Sequence, residues 1–267
     1  MAHDTPKLVG MITDRTRHRM KTTLLTLLVA GLIGVGGDGR AQAAVETVNG
    51  AGPPPFRSPA MIALGNAACA GESDAIRRSL ADGAAVDGEG EAGITPLLWA
   101  LRCRSIEGVR ALLDAGADPD MVINGIPTVI FATRLENVEF LSAFLEHGAN
   151  PNTSYDATWS SLLDVALLHG INGRGWDHWD LLLRSGVDVN LPTQSRQTTA
   201  MKAVRATHYD RAIELLERGY HYDLPELRRI ATSTIAIARS RGDPTTRLRL
   251  VALLDERISH PLDSPGP

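Results

Sequence analysis

Aromatic residues are scarce in this chain of 267 residues, since Phe, Tyr and Trp together account for 4% of it. Cysteine is scarcer still, with two residues. The few cysteines exclude a disulfide-rich miniprotein, and the few aromatics argue against an aromatic-lined active site. The chain also lacks the repeated long apolar runs of a polytopic membrane protein. Its hydrophobic fraction of 43% is ordinary for a chain that buries a core, and its composition excludes a collagen and a wholly disordered chain.

A basic surface is missing as well, because the net charge is −4. Residues 1–43 hold six Lys or Arg against three Asp, whereas the remainder holds 21 basic and 28 acidic residues. The body of the protein therefore carries a net charge of −7. Nucleic acid is excluded as a partner, because its binding needs a basic face that displaces counterions.

The N-terminal segment has the three parts of a secretory signal peptide. A basic stretch over residues 15–21 precedes an apolar run over residues 24–35, and Ala41-Gln42-Ala43 precedes Ala44. An apolar run of about a dozen residues is too short to span a bilayer. A basic region, a short apolar region and an A-x-A site are together typical of signal cleavage.

We therefore expect export to the periplasm by the general secretory route, because the basic stretch lacks the Arg-Arg pair of twin-arginine signals. The basic region proper begins at Met20, which predicts that translation starts there and that residues 1–43 are an N-terminal extension and the signal peptide. Cleavage is expected between Ala43 and Ala44, and no cysteine lies near that site to carry a lipid anchor. An uncleaved signal anchor is the alternative.

The rest of the chain divides into four parts. Residues 44–59 contain two glycines and a run of three prolines without any helical or alternating period, which predicts a flexible leader. Residues 60–224 contain an internal repeat, and residues 225–258 form two amphipathic helices that would cap it. Residues 259–267 are predicted to be a disordered tail.

The internal repeat is marked by a glycine that follows a leucine-containing helical segment. Successive glycines are separated by 33, 32, 38 and 33 residues, and the longer interval contains an insertion near residues 171–176. A constant period of this length is the sequence signature of a solenoid. The repeated glycines are Gly83, Gly116, Gly148, Gly186 and Gly219.

The second copy shows how one repeat is built. Thr95 can cap the start of a short helix, and Pro96 fits the first turn of that helix. The apolar positions then follow a 3.6-residue period over two helices, and Gly116 can take the left-handed conformation that ends the second helix. The apolar positions are Leu97, Ala100, Ile106, Val109, Leu112 and Leu113.

This pattern resembles the ankyrin-repeat family, whose repeat reads T-P-L-H-x-A, then V-x-x-L-L, then G-A-D-x-N. The resemblance implies an all-α fold, a solenoid of stacked helix-turn-helix units joined by short hairpin loops, with five repeats over residues 60–224. It also implies a protein-binding role without chemistry. The family's histidine is absent from every copy, which lowers the expected stability. Its place is taken by Gly65, Leu98, Ile130, Asp164 and Met201.

Motifs of catalysis and metal binding are absent from the sequence. There is no G-x-x-x-x-G-K-[ST], G-x-S-x-G, H-E-x-x-H or paired C-x-x-C, so we predict no catalytic residue, no metal ligand and no cofactor. His147 and His169 each precede a glycine at a helix end, where an imidazole suits the helix dipole. A hydrolase that uses Asp164, His169 and Asp177 or His178 near the fourth-repeat insertion is the remote alternative.

The two aromatic residues beside that insertion admit a simpler interpretation. Trp176 and Trp179 fall at apolar positions of the fourth outer helix, which favours core packing over an exposed contact. The two cysteines, Cys69 and Cys103, fall near the ends of adjacent inner helices. Neighbouring helix axes stand about 8–10 Å apart, whereas a disulfide needs Cα atoms within about 7 Å. Two separate thiols are therefore favoured, and a bridge is left open.

The surface of the hairpin loops is the candidate binding site. In stacks of this kind the resemblance implies that a partner meets the concave face, built from the hairpin tips and the inner helices. The first three repeats are acidic, which indicates either a solvated face or a basic partner. Tyr155 and Trp159 are of the type that anchors interfaces. The candidate residues are Glu89, Glu91, Met121, Asn124, Tyr155, Asp156, Trp159, Gln194 and Arg196.

The predicted function is that of an exported scaffold, monomeric when unbound and without a stable membrane anchor. Its partner is another protein, either a basic protein or an exported or delivered enzyme. The resemblance favours an immunity or inhibitor protein against a secreted effector such as a lipase. A periplasmic accessory protein for a stress-defence enzyme such as catalase is the alternative. Fold alone does not decide between the two.

Overall fold

A computed structural model of the chain describes residues 54–155, 161–193, 195–233 and 244–260. Twelve α-helices and a single two-stranded hairpin lie within these ranges. None of those helices is both long and apolar enough to cross a membrane. The signal peptide, the start at Met20 and the cleavage site at Ala43 and Ala44 lie outside the described residues.

The helices alternate between two layers, which confirms the predicted all-α architecture. Consecutive helices of the inner layer pack against each other in chain order, and each repeat adds one antiparallel outer helix. The inner helices are α1 (Pro59–Ala70), α3 (Pro96–Arg102), α5 (Thr128–Arg134), α7 (Leu162–Ile171), α9 (Thr199–Arg205) and α11 (Leu224–Ala231). The outer helices are α2 (Ser73–Ala81), α4 (Ile106–Asp114), α6 (Glu139–Glu146), α8 (Asp177–Arg184), α10 (Tyr209–Glu217) and α12 (Pro244–Ser259).

The inner helices begin where the sequence supplies a hydroxyl cap. The side chains of Thr95, Ser161 and Thr198 accept hydrogen bonds from the third helical N–H of α3, α7 and α9. Such a cap satisfies a backbone donor that has no partner within the helix. The repeated glycines follow the ends of the outer helices, as Gly116 does. Its φ of 88° lies in the left-handed region, which residues with a Cβ rarely adopt.

A ladder of side chain to backbone hydrogen bonds holds successive repeats in register. The carboxylate of Asp87 accepts from the backbone N of Asp118 at 3.1 Å, and that of Asp120 accepts from Asn150 at 2.9 Å. The side-chain oxygen of Asn152 likewise accepts from the backbone N of Asp188 at 2.7 Å. The side-chain oxygen of Asn190 accepts from the backbone N of His221 at 2.8 Å. Because each contact joins one turn to the next, the ladder fixes the stacking of the turns as well as that of the helices.

The N-terminal boundary differs from the prediction. Helix α1 begins at Pro59 behind the cap residue Ser58, and Phe56 is only 7% exposed. The backbone N of Glu91 donates to the carbonyl oxygen of Pro55 at 2.8 Å, which ties this segment to the first hairpin loop. Residues 54–58, here called the N-terminal arm, therefore pack on the first repeat and do not belong to a flexible leader. The sequence did not reveal this, because one buried aromatic side chain makes no periodic pattern.

The glycines around Phe56 explain why the arm fits. A Cβ at Gly65 would lie 2.8 Å from the Phe56 ring, and a Cβ at Gly90 would lie 2.4 Å from the carbonyl oxygen of Pro55. Both distances are shorter than real Cβ contacts, so neither position accommodates a side chain without a shift of the arm. The arm thus covers part of the first repeat, which has no preceding repeat in the described ranges to cover it.

The C-terminal helix pair extends the stack by one more layer. Helix α11 packs on α9, and α12 packs on α10 and α11. The first of the two predicted helices, residues 225–239, is shorter in the structure, because α11 ends at Ala231 with Thr232 as its cap. Residues 234–243 lie outside the described residues, as does the tail beyond residue 260. Helix α12 reaches Ser259, one residue past the predicted boundary.

The two cysteines are bridged, so the preference for separate thiols was wrong. Cys69 lies in the last turn of α1 and Cys103 caps the C-terminus of α3, and their Cα atoms are 5.2 Å apart. The error came from comparing helix axes. Because each Cα lies about 2.3 Å from its own axis, Cα atoms on the facing sides of two adjacent helices approach more closely than the axes do.

Candidate interaction surface

The hairpin loops between successive repeats form the candidate surface. The first loop contains a 3₁₀ turn over Glu91–Gly93, and the second is a hairpin in which Val122–Ile123 pairs with Ile126–Pro127. Asn124 and Gly125 connect its strands with φ values of 51° and 81°, the conformation that a tight two-residue turn requires. In the third loop, a bridge between Ser154 and Ser161 closes the base.

Glu89 and Glu91 are exposed on the first loop, as the sequence predicted for candidate contact residues. Arg57 of the N-terminal arm lies 3.7 Å from Glu91, and both side chains are largely solvated, so this ion pair is weak. A cavity of about 390 Å³ opens between the arm and this loop, with Met61 and Phe56 among its lining residues. The first loop therefore presents carboxylates at the rim of a partly apolar depression.

In the second loop, the two predicted contact residues, Met121 and Asn124, make contacts within the protein. The side chain of Asn124 donates to the carbonyl oxygen of Ala92 at 2.9 Å and joins the first two loops. Met121 is half-buried, and its carbonyl oxygen accepts from the backbone and the hydroxyl of Thr128. Both residues therefore hold the loop in place. Val122 beside them is 58% exposed, and it is the large apolar residue of this loop that faces solvent.

Val122 was not among the predicted contact residues. The available signal was the alternation along the first strand of the hairpin, in which Val122 is exposed and Ile123 is buried. Two apolar neighbours on a strand point to opposite faces, so one of them must face solvent if the other faces the core. An exposed β-branched residue beside a turn is a candidate contact for a partner.

The third and fourth loops are described in part. The guanidinium of Arg134 donates to the hydroxyl of Tyr155 and lies 5.3 Å from the centre of its ring, so this half-buried tyrosine is held in place. Arg196 is exposed in a turn closed by a 2.8 Å hydrogen bond from the N of Thr193. A hydrogen bond to Tyr222 raises the pKa of the Arg196 guanidinium above its usual value. The predicted residues Asp156, Trp159 and Gln194 lie outside the described residues.

The charge of the described chain changes sign along the stack. Residues 54–155 contain seven Arg and 13 Asp or Glu, so they carry a net charge of −6. Residues 195–233 contain seven Lys or Arg and five Asp or Glu, a net charge of +2. The acidic half includes the loops that carry Glu89 and Glu91. A partner that contacts several repeats would therefore meet segments of opposite net charge.

The residues of the hydrolase alternative are not brought together as a catalytic set. Asp164 accepts hydrogen bonds from Thr199 and from Lys202, each at 2.7 Å, and from the backbone of its own helix cap. Neither His169 nor His178 is a partner in these contacts; their rings stack on each other at 4.3 Å. Asp177 is exposed at the start of α8. In the described part of the chain, no group of three or more His, Cys, Asp or Glu residues is placed to hold a metal ion.

The tryptophans of the fourth repeat pack as predicted. Trp179 is completely buried, and its indole N–H donates to Glu214 at 2.9 Å. Trp176 is half-buried and meets the Trp179 ring edge-on at 5.9 Å, with the guanidinium of Arg211 over its face at 4.2 Å. These rings fill the space between the fourth and fifth repeats. They are part of the core and not an exposed contact.

Comparisons with known protein families and solved structures found the following similarities. The family model described as the ankyrin repeat matches residues 92–121, which include the end of the first loop, α3 and α4. The crystal structure of the human ASB11 ankyrin repeat domain is 20% identical over 75% of this chain and 83% of that one, with a TM-score of 0.49. No curated protein matches the sequence. The matched residues form one ankyrin repeat, and the same sequence pattern recurs along the chain at a 32 to 38-residue period. Ankyrin repeats are typical of protein–protein interaction scaffolds.

Proposed function

We propose that this scaffold is exported to the periplasm and binds another protein through its hairpin loops. The contact surface, here called the tip surface, consists of Glu89, Glu91, Val122, Asn124, Tyr155 and Arg196. The observation that carries the proposal is that Val122 is strongly exposed on the second loop, which the Asn124 side chain joins to the first loop with its exposed Glu89 and Glu91. Apolar residues within a polar rim are typical of protein interfaces.

The disulfide supports the export part of the proposal. A bond between Cys69 and Cys103 persists in an oxidising compartment and is rare in the cytosol. The two residues are the full cysteine content of the chain, so no unpaired thiol competes for the bridge. Cell fractionation followed by mass spectrometry of the mature chain tests this part. The expected product is periplasmic, begins at Ala44 and contains the bridge; a cytosolic protein with two free thiols would contradict export.

The charge of the tip surface favours a partner with a basic binding face. Residues 54–155 carry a net charge of −6, and Glu89 and Glu91 stand exposed at the first loop. Complementary charge accelerates encounter and suppresses wrong partners more than it adds affinity. The partner proposed is therefore an exported or delivered enzyme whose basic surface surrounds its active site, with the scaffold acting as an immunity or inhibitor protein. A lipase effector is one enzyme of this class.

Binding is tested by capture of the partner from periplasmic extract with wild-type and variant scaffolds. Val122→Asp, and Glu89→Lys combined with Glu91→Lys, are expected to reduce capture at least tenfold. Glu72→Lys combined with Glu107→Lys makes the same charge change on the exposed outer side of the first two repeats and serves as the control. Equal loss with both charge pairs would contradict binding at the tip surface.

The activity of the captured partner decides the role. Inhibition predicts that the partner's enzymatic activity falls as wild-type scaffold is added and does not fall with the tip variants. An accessory role, of the kind considered for catalase, predicts unchanged or increased activity and slower inactivation of the enzyme. A stoichiometric partner whose activity rises would replace the inhibitor proposal with the accessory one.

A further inference from the structure

Two histidines of the fourth repeat form a buried stacked pair. His169 lies in the last turn of α7 and His178 in the first turn of α8, and their ring centres are 4.3 Å apart with an angle of 24° between the planes. The residues are 4% and 3% exposed. The insertion that lengthens this repeat, residues 172–175, connects the two helices and is exposed throughout.

The pair also joins the fourth repeat to the third. The backbone of Thr133 hydrogen-bonds to His169, and the backbone of Leu135 hydrogen-bonds to His178. Both backbone groups belong to the end of α5 and the turn after it. In the part of the chain that the structure describes, the other ring nitrogens, Nδ1 of His169 and Nε2 of His178, are buried and have no hydrogen-bond partner.

The charged groups around the pair do not neutralise a proton on it. Arg174 of the insertion disfavours a positive charge on His169. Glu136, in the turn after α5, favours that charge, but it also pairs with Arg174 at 3.6 Å. Asp177 favours a charge on His178 from an exposed position.

The other titratable groups on the neighbouring helices contact residues outside the histidine pair. Arg134 of α5 bonds Tyr155, and Asp164 of α7 bonds Lys202 of α9. Glu139 of α6 accepts from its neighbour Asn137. The remaining groups lie between α8 and α10. They engage the two tryptophans or each other and are Asp180, His208, Arg211 and Glu214.

We propose that the His169–His178 pair is an acid-operated joint, in which protonation of the stacked rings loosens the contact between the third and fourth repeats. Two adjacent imidazolium rings repel each other, and burial deprives both of solvation. Opening of the joint gives the charged rings access to water. The joint stands independently of any partner.

The direction of the effect follows from the protonation of the closed state. In the closed fold the pKa of His178 is lowered from 6.5 to about 4. Burial is the main cause, and the neighbouring His169 is the second. The pKa of His169 is lowered as well, mainly by burial and secondly by the charge of Arg174. The open state binds protons below pH 6.5 and the closed state does not, so opening becomes easier as the pH falls from 6.5 toward 4. From the protonation of His178 alone, the equilibrium constant for opening increases about 25-fold between about pH 7 and pH 5.

Hydrogen exchange measured by mass spectrometry tests the joint in the full-length, disulfide-bonded protein. After correction for intrinsic rates, protection over residues 162–184 is expected to fall about 25-fold between about pH 7 and pH 5. Protection over residues 96–114 is expected to fall several-fold less. A uniform loss across both segments would contradict a local joint and would indicate general acid unfolding.

Variants separate the buried pair from other histidines. His178→Phe keeps a stacked ring without a titrating group, and it is expected to reduce the pH-dependent loss over residues 162–184 at least fivefold. His147→Gln removes a histidine with a raised pKa and is expected to keep the loss. An unchanged loss in His178→Phe would overturn the proposal. If that variant fails to fold, nuclear magnetic resonance of the wild-type imidazoles decides, because titration of His178 near 6.5 in the folded protein would equally overturn it.

Discussion

Asp164 and Lys202 form an ion pair of 2.7 Å between consecutive inner helices, and their side chains are 2% and 6% exposed. Asp164 occupies the position at which the ankyrin pattern has histidine, and it also accepts from Thr199 at 2.7 Å. The fourth and fifth repeats are thus joined by a charged contact where other repeats bury Leu98 and Ile130. A buried pair of this kind tolerates loss of both charges better than loss of one.

Removal of only one charge is expected to be costly. Lys202→Met leaves the carboxylate of Asp164 buried and without its cation, and we expect the free energy of unfolding to fall by about 3–5 kcal/mol. Urea unfolding followed by circular dichroism measures this change. The double variant Asp164→Leu with Lys202→Met is the control and is expected to lie within about 2 kcal/mol of wild type. A single variant as stable as the double one would show that the pair is not effectively buried.

The disulfide is expected to supply a large part of the stability of the first two repeats. It closes a loop with a sequence separation of 34 residues. A loop of this length corresponds to about 4 kcal/mol in the chain-entropy treatment. Urea unfolding of the oxidised protein and of Cys69→Ser combined with Cys103→Ser measures the difference. Equal unfolding midpoints for the two proteins would show that the bridge is absent in solution or does not constrain the unfolded chain.

The N-terminal arm is expected to stabilise the first repeat through one side chain. Phe56→Ala removes a ring that is 7% exposed and packs against α1, so we expect a loss of about 3 kcal/mol. The neighbouring Arg57→Ala truncates a side chain that is 88% exposed and is expected to change stability by less than about 0.5 kcal/mol. Thermal unfolding compares the two. Equal effects would mean that the arm does not pack on the first repeat.

The ion pair between His147 and Asp114 is expected to respond to pH in the direction opposite to the buried histidine pair. A ring nitrogen of His147 lies 2.9 Å from the Asp114 carboxylate, and this hydrogen bond, with a second that the ring makes to the carbonyl oxygen of Ala143, raises the pKa of His147. Because the folded pKa is the higher one, the stabilisation is complete below 6.5 and is lost as the pH rises through the folded pKa.

The corresponding variant is Asp114→Asn. Since the Asp114 side chain is 72% exposed, we expect a loss of only about 0.5–1 kcal/mol at about pH 6, and no difference from wild type at about pH 8.5. Urea unfolding midpoints at the two pH values measure it. Glu107→Gln, a change to another exposed carboxylate of α4, serves as the control without pH dependence. A difference that grows with rising pH would contradict the assigned direction.

The sequence predicted the repeat architecture well because its signals are local. The cap at Thr95, the proline at position 96 and the apolar positions of α3 and α4 act within a few residues of each other. The same is true of the glycines that end the outer helices, such as Gly116. Each repeat therefore specifies its own helices, and the period specifies that they stack.

The contacts between repeats were beyond such reasoning. The bridge between Cys69 and Cys103 depends on how closely two Cα atoms on facing helices approach, and the Asp164 to Lys202 contact depends on which side chains of two helices meet. The stacking of His169 on His178 depends on the conformation of an inserted turn. At the candidate surface, the predicted Met121 proved to be half-buried, whereas the exposed apolar residue of that loop is Val122.

Photo-cross-linking in cells tests the central claim most directly. A photoreactive residue replaces Val122 at the exposed edge of the second loop, and in a second strain it replaces Glu107 on the outer helix α4. We expect one dominant cross-linked periplasmic protein from position 122 and none from position 107. Cross-linking from position 107 alone, or from neither position in a strain that produces the folded scaffold, would contradict binding at the tip surface.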